Sequence, residues 1–150
     1  MKSEHQPHSY TEYEKSVLKN VKQFHENYNN HDFEKNGGLV AENIKVRSNG
    51  TLLQGRNAFI ERIQRFKPFF PDTRINDKAI YVDGNIAIIE LEVQGTLSAD
   101  FVTPFGIVQA KGQKISVEGV EIFTFDENSK VYELITIQRL DQLYDQLRNG

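Results

Sequence analysis

The 150-residue chain has no cysteine, no tryptophan, one methionine and four prolines. Without cysteine there is no disulfide framework and no thiolate nucleophile. That fits a reducing compartment, and a cytoplasmic location is the expectation. No apolar run approaches the ~20 residues that a membrane helix needs. The opening MKSEHQPHSY lacks the apolar centre of a secretory signal, so neither a membrane nor export is expected. A surplus of positive charge is missing as well. The 18 Lys and Arg stand against 21 Asp and Glu, a net charge of −3. No basic field exists to neutralise phosphates, and nucleic acid is excluded as an expected partner. His5, His8, His25 and His31 show no ligand spacing, so no metal and no cofactor is expected.

What is present is enough chain for one domain with a real core. Residues 1–9 are polar and without period, and are read as a mobile tail; residues 10–150 form the domain. Thr11 and Glu14 stand at capping-box spacing. Behind them Val17, Val21, Phe24 and Tyr28 step by four, three and four, which predicts an amphipathic helix of four or five turns. FEKNGGLVAEN predicts a short or broken helix, because each glycine costs about 1 kcal/mol in a helix interior. Phe59, Ile63, Phe66 and Phe70 predict a second helix, stopped or kinked at Pro68 and closed by Pro71-Asp72.

The period changes to two around this helix. IKVRSNGTLLQG reads as short strands about a Ser-Asn-Gly turn. From residue 73, TRINDKAIYV meets NIAIIELEVQGTL across Asp83-Gly84, a tight-hairpin dipeptide. KISVEGVEIFTF and VYELITIQ follow after a long connection. Helices first and strands last is the pattern of an α+β fold with helices on one face of the sheet. Val120, Ile122, Leu134 and several isoleucines then line the opposite face. That face needs a cover, and a second copy of the chain, as a homodimer through the outer sheet face, is the expected one.

Five pieces in a fixed order carry a resemblance: Gly55-Arg56 turning into a helix, FPD at 70–72, DG at 83–84, GT at 95–96 and QL at 146–147. Over about residues 17–147 the chain resembles the nuclear-transport-factor-2-like superfamily, and within it the SnoaL-like polyketide cyclase group. The resemblance implies a cone: a curved antiparallel or mixed sheet wrapped around the long N-terminal helix. It also implies a cavity for a small apolar molecule bearing an oxygen or carboxylate, and a cofactor-free proton-transfer or aldol-type cyclisation or isomerisation. A non-catalytic ligand-binding or dimerisation module of the same fold is the alternative.

Set against the family, the chain departs at informative places. Ketosteroid isomerases of this fold carry a tyrosine where this chain has Phe24 and an aspartate base where it has Ser48, and neither replacement can do that work. SnoaL-like cyclases carry an aspartate after the last strand, at the position of Arg139, and often a histidine after GT, here Leu97. Two arrangements stay open. A bulge can slide Asp141 into the pocket mouth, or Arg139 can face inward and clamp an anion. Glu121 shares a strand face with Val117, Phe123 and Phe125 and is the expected partner of Arg139. The plain alternatives are an ion pair that holds the sheet end, and Asp141 as a helix cap. The candidate catalytic set is Glu121, Arg139 and Asp141, with Phe24, Tyr28, Phe59 and Phe70 as ligand-binding walls.

Overall fold

The computed structural model describes residues 9–149 in full and the backbone alone of residues 3–5. Helix α1 (Glu12–Asn29) begins as its sequence directs. Thr11 accepts from the Glu14 N–H, and the Glu14 carboxylate accepts from the Thr11 N–H. Asn30 caps the far end. A 3₁₀ helix (Phe33–Leu39) takes the place of the weak helix around Gly37-Gly38. Strand β2 (Val40–Ser48), strand β3 (Thr51–Gln54) and helix α2 (Arg56–Gln64) follow. Helix α2 stops four residues before Pro68 rather than running to it.

The second half supplies β4 (Arg74–Asp83) and β5 (Ile86–Thr96) as a hairpin. Gly84 sits at φ 60 in its turn, the left-handed region that glycine enters without strain. The long connection holds a separate two-stranded hairpin of β6 (Phe101–Thr103) and β7 (Gly106–Val108), which periodicity did not reveal. Then come β8 (Lys114–Phe125), β9 (Val131–Gln138) and α3 (Leu140–Asn149). Ser3–His5, expected to be part of a mobile tail, form a short strand β1 parallel to Ala79–Tyr81. Of the rest of that expectation, residues 1, 2 and 6–8 lie outside the described residues, and Ser9 is exposed and has no regular structure.

The architecture is α+β. One curved mixed sheet has the order β1-β4-β5-β8-β9-β2-β3, with parallel pairs at β1/β4 and β2/β9. Its concave face wraps α1. Val17, Val21, Phe24 and Tyr28 meet Ile44 and Val46 of β2, Ile80 and Val82 of β4, Ala87, Ile89, Leu91 and Val93 of β5, and Phe123 and Phe125 of β8. A second cluster of Phe70, Leu97, Ile115, Val117, Leu143 and Leu147 fixes α3 against the start of β8. Strand β9 reaches only as far as Gly119 on that side, so the edge of β8 before it would be bare. Gln142 and Gln146, one turn apart on α3, fill it. Their Oε1 atoms accept from the N–H groups of Glu118 and Ser116, and the Gln146 amide donates to the Ser116 carbonyl. The QL piece of the sequence is therefore a strand substitute.

FPD and GT prove to be one corner. Asp72 accepts from both the N–H and the hydroxyl of Thr96, each at 2.7 Å. Burial works against the carboxylate, but these two hydrogen bonds hold it below the usual carboxylate range. Gly95 lies under Phe70, where a Cβ would come within 3.0 Å of the phenylalanine. No helix among the described residues is long and apolar enough to cross a membrane.

Candidate functional site

A cavity of about 380 Å³ opens between the two apolar clusters. Phe24, Phe59, Phe123 and Leu134 form its floor and walls. Phe66, Phe101, Leu143 and Tyr144 close it toward α3, and the exposed Asn49, Thr51, Arg65 and Leu140 mark its rim. Behind the rim, three ionisable side chains of opposite sign reach it from three different elements: His25 of α1, Glu121 of β8 and Arg62 of α2.

His25 is one turn beyond Val21 and so belongs to the buried face of α1, where only 5% of it is exposed. Across from it, Asp77 of β4 pairs with Leu91, and Glu121 of β8 pairs with Ile89. The two carboxylates therefore flank strand β5 from opposite sides, and the imidazole bridges them. Nδ1 lies 2.5 Å from Asp77 Oδ1 and Nε2 lies 2.6 Å from Glu121 Oε1. Burial opposes the charge and is the largest single influence. The attraction and hydrogen bonds of Glu121 and Asp77 together overcome it and raise the imidazole to about 10. His25 is thus an imidazolium at neutral pH, with both N–H groups donated to carboxylates. The second Glu121 oxygen has no hydrogen-bond partner among the described residues, and Glu121 lines the cavity.

Arg62 reaches the cavity from α2. Its Nε donates to Ser48 Oγ at 3.0 Å and one terminal nitrogen donates to Thr136 Oγ1 at 2.9 Å. Thr136 is the cross-strand neighbour of Glu121, so arginine and carboxylate share one end of the cavity. Burial lowers the guanidinium from its ordinary value. Glu121 and Tyr28 pull it back up, and Arg65 pushes it further down. The Tyr28 hydroxyl lines the cavity but is engaged with Thr73 Oγ1 at 2.9 Å, and burial raises it from the ordinary phenol value. Among the described residues no group of His, Cys, Asp or Glu side chains is arranged to hold a metal.

The structure places the expected site residues unevenly. Glu121, Phe24, Tyr28 and Phe59 all line the cavity. Phe70 does not. It is fully buried behind the wall, against Phe66, Phe101 and Gly95. Arg139 and Asp141 are corrected in position. Both side chains are more than half exposed, and they pair with each other at 2.7 Å on the outer surface. Glu118, not Glu121, is the second carboxylate near Arg139. The reason is register: Glu121 faces Thr136, so the inward row of β9 is Leu134, Thr136 and Gln138, and Ile135 and Ile137 point outward. Asp141 sits inside the first turn of α3 rather than at its cap. Leu97, where the family often has histidine, is core. Ser48, at the isomerase base position, serves Arg62.

His25, Asp77 and Arg62 were not among the expected site residues. One signal for His25 was available in its spacing, four from Val21 and three from Tyr28, on a stripe that buries everything else it carries. Arg62 stands three from Phe59 and four from Phe66, beside the apolar stripe of α2.

The family model of the SnoaL-like domain matches residues 21–134. A proposed SnoaL-like polyketide cyclase from Jannaschia sp. CCS1 superposes with a TM-score of 0.83 at 14% identity, covering 95% of this chain and 99% of that one. IdmH, a proposed polyketide cyclase from Streptomyces antibioticus, gives 0.77 at 19%, covering 87% and 97%. An LEH-like epoxide hydrolase of M. tuberculosis gives 0.70 at 12%, covering 91% and 92%. At these identities the likeness speaks for the fold alone. No curated protein matches the chain significantly.

Proposed function

The chain belongs to the SnoaL-like domain family, and on that premise we propose that it binds a small, mostly apolar carbonyl compound and moves a proton on it without a cofactor. Neighbours named for cyclisation and for epoxide hydrolysis share this fold, so the fold does not choose the reaction and the side chains must. The observation that carries the reading is Glu121, which lines an aromatic cavity with one oxygen held by a charged, buried His25 and the other without a hydrogen-bond partner among the described residues.

In this reading the free Glu121 oxygen removes a proton from the carbon next to the carbonyl. The electron pair of that C–H bond becomes the enolate, whose oxygen takes an Arg62 N–H. The proton then returns from Glu121 to a different carbon, an isomerisation. Alternatively the enolate carbon attacks a second carbonyl of the same molecule, and the new alkoxide takes the proton, an aldol-type ring closure. His25 holds the other Glu121 oxygen in place, and Asp77 fixes the imidazole from behind.

Apolar bicyclic ketones screened by thermal shift test the binding half. Those that bind are then followed for uptake of solvent deuterium next to the carbonyl. Binding with exchange supports the enzyme. Binding without exchange supports the ligand-binding module, a reading favoured by the fact that both imidazole nitrogens of His25 are already spent on Asp77 and Glu121.

We also propose that the convex sheet face pairs with a second copy. Ile88 lies opposite Ile122, which lies opposite Ile135, and Val120 lies opposite Ile137. Ile86, Ile88, Tyr132 and Ile137 are exposed on or beside this row, Ile137 at 55%. A contiguous apolar row of this kind is the usual mark of an interface.

A further inference from the structure

Arg62 has more donors than the protein uses. A guanidinium carries five N–H groups, and among the described residues Arg62 spends them only on the hydroxyls of Ser48 and Thr136. No carboxylate lies within ion-pair distance of it among those residues. Glu121, the nearest in effect, already has one oxygen on His25 at 2.6 Å. The remaining terminal nitrogen makes no hydrogen bond among the described residues and is not buried without a partner. Arg62 itself lines the cavity.

The charge count points the same way. His25, Arg62 and Arg65 are positive, and Asp77 and Glu121 are negative, which leaves one positive charge over in and around the cavity. The walls are aromatic and screen poorly, so this excess favours an anion. The hydroxyls of Ser48 and Thr136 anchor two of the guanidinium nitrogens, which fixes the plane of the fork. A fixed fork suits a planar two-oxygen anion better than a point charge.

We propose that Arg62 is a carboxylate receptor, and that the natural ligand is an aromatic or otherwise flat apolar acid whose carboxylate docks on Arg62 with its ring system among Phe24, Phe59, Phe66 and Phe123. This rests on the cavity reading above and narrows it. The ligand is an anion, recognised at Arg62, and the reacting carbon is the one that this docking holds against Glu121.

The test uses three probes of one shape: 2-naphthoate, 2-naphthamide and methyl 2-naphthoate. None has a hydrogen on a carbon next to the carbonyl that could be removed, so binding is measured apart from any reaction. Titration calorimetry on the intact wild-type chain should show 2-naphthoate binding about tenfold to a hundredfold tighter than the amide and the ester, the gain expected of a charge-assisted hydrogen-bonded pair. Arg62→Met should erase that preference while the ester binds as before, and Arg62→Lys should keep part of it. Equal affinities in the wild type overturn the proposal without needing any variant. A preference that survives in Arg62→Met overturns it too, and so does failure of all three probes to bind. If the acid preference holds but bound ketones take up no deuterium, the proton-transfer reading fails alone.

Discussion

Replacing His25 by glutamine takes the cation out of a buried trio and leaves Asp77 and Glu121 facing each other across strand β5. Removing one partner of a buried ionic group costs about 3–5 kcal/mol, and the glutamine amide can serve only one carboxylate well. The pH dependence is the sharper signature. In the unfolded chain a histidine titrates near 6.5, while folded His25 is raised to about 10. A raised value means stability that is complete below about 6.5 and lost as pH rises through about 10, because over that window the native state holds a proton that the unfolded state has released. The slope is about 1.4 kcal/mol per pH unit for one proton, so the wild type loses about 3 kcal/mol between pH 7 and pH 9 through this group. His25→Gln has no such proton to lose. Urea unfolding of both proteins, followed by circular dichroism at several pH values, should show the stability gap narrowing steadily toward pH 10. The difference between the two proteins cancels the tyrosines and lysines that titrate in the same range. The imidazole carbon resonances of His25 should keep their protonated positions through pH 9. A gap that does not change with pH, or a His25 that titrates near 6.5, would refute the charged trio.

Three further outcomes follow from the placement of other side chains. Phe70→Ala removes a fully buried ring packed on Gly95, Phe66 and Phe101 and should cost about 3–5 kcal/mol in urea titrations, because the ring is structural rather than part of the ligand wall. Arg139→Leu should leave the urea-unfolding midpoint unchanged, as the loss of an exposed pair usually does, and leave 2-naphthoate binding untouched in calorimetry. Light scattering should give twice 17.3 kDa for the wild type, and Ile137→Glu, placed on the outer row, should halve that mass with the fold retained.

Helix α1 was legible because its information is local: a capping box, a four-three-four stripe and an Asn-rich end. The β4–β5 hairpin was legible for the same reason, through Asp83-Gly84 and strict alternation. Glu121 could be found by parity within its own strand. Arg139 misled because parity was carried past the end of β9. The strand stops at Gln138, and its inward row is set by the partner opposite Glu121, a register that alternation on one strand does not contain. His25 escaped because its meaning is non-local. Its partners lie 52 and 96 residues away, and the bulge after Asp77 decides which residues of β4 face inward. Arg62 is similar: one hydroxyl partner is 14 residues away and the other 74. The connection after Thr96 hid a hairpin because its strands are three residues each, too short for a period to show.

Deuterium uptake into 2-tetralone, followed by proton NMR in heavy water with wild type and Glu121→Gln side by side, goes to the centre of the matter. Glutamine keeps the size and can still accept from His25, but it cannot take a proton. The wild type should accelerate exchange over buffer, and the variant should bind the ketone equally while exchanging it about a hundredfold or more slowly. Equal exchange rates in the two proteins, with binding intact, would show that Glu121 is not the base.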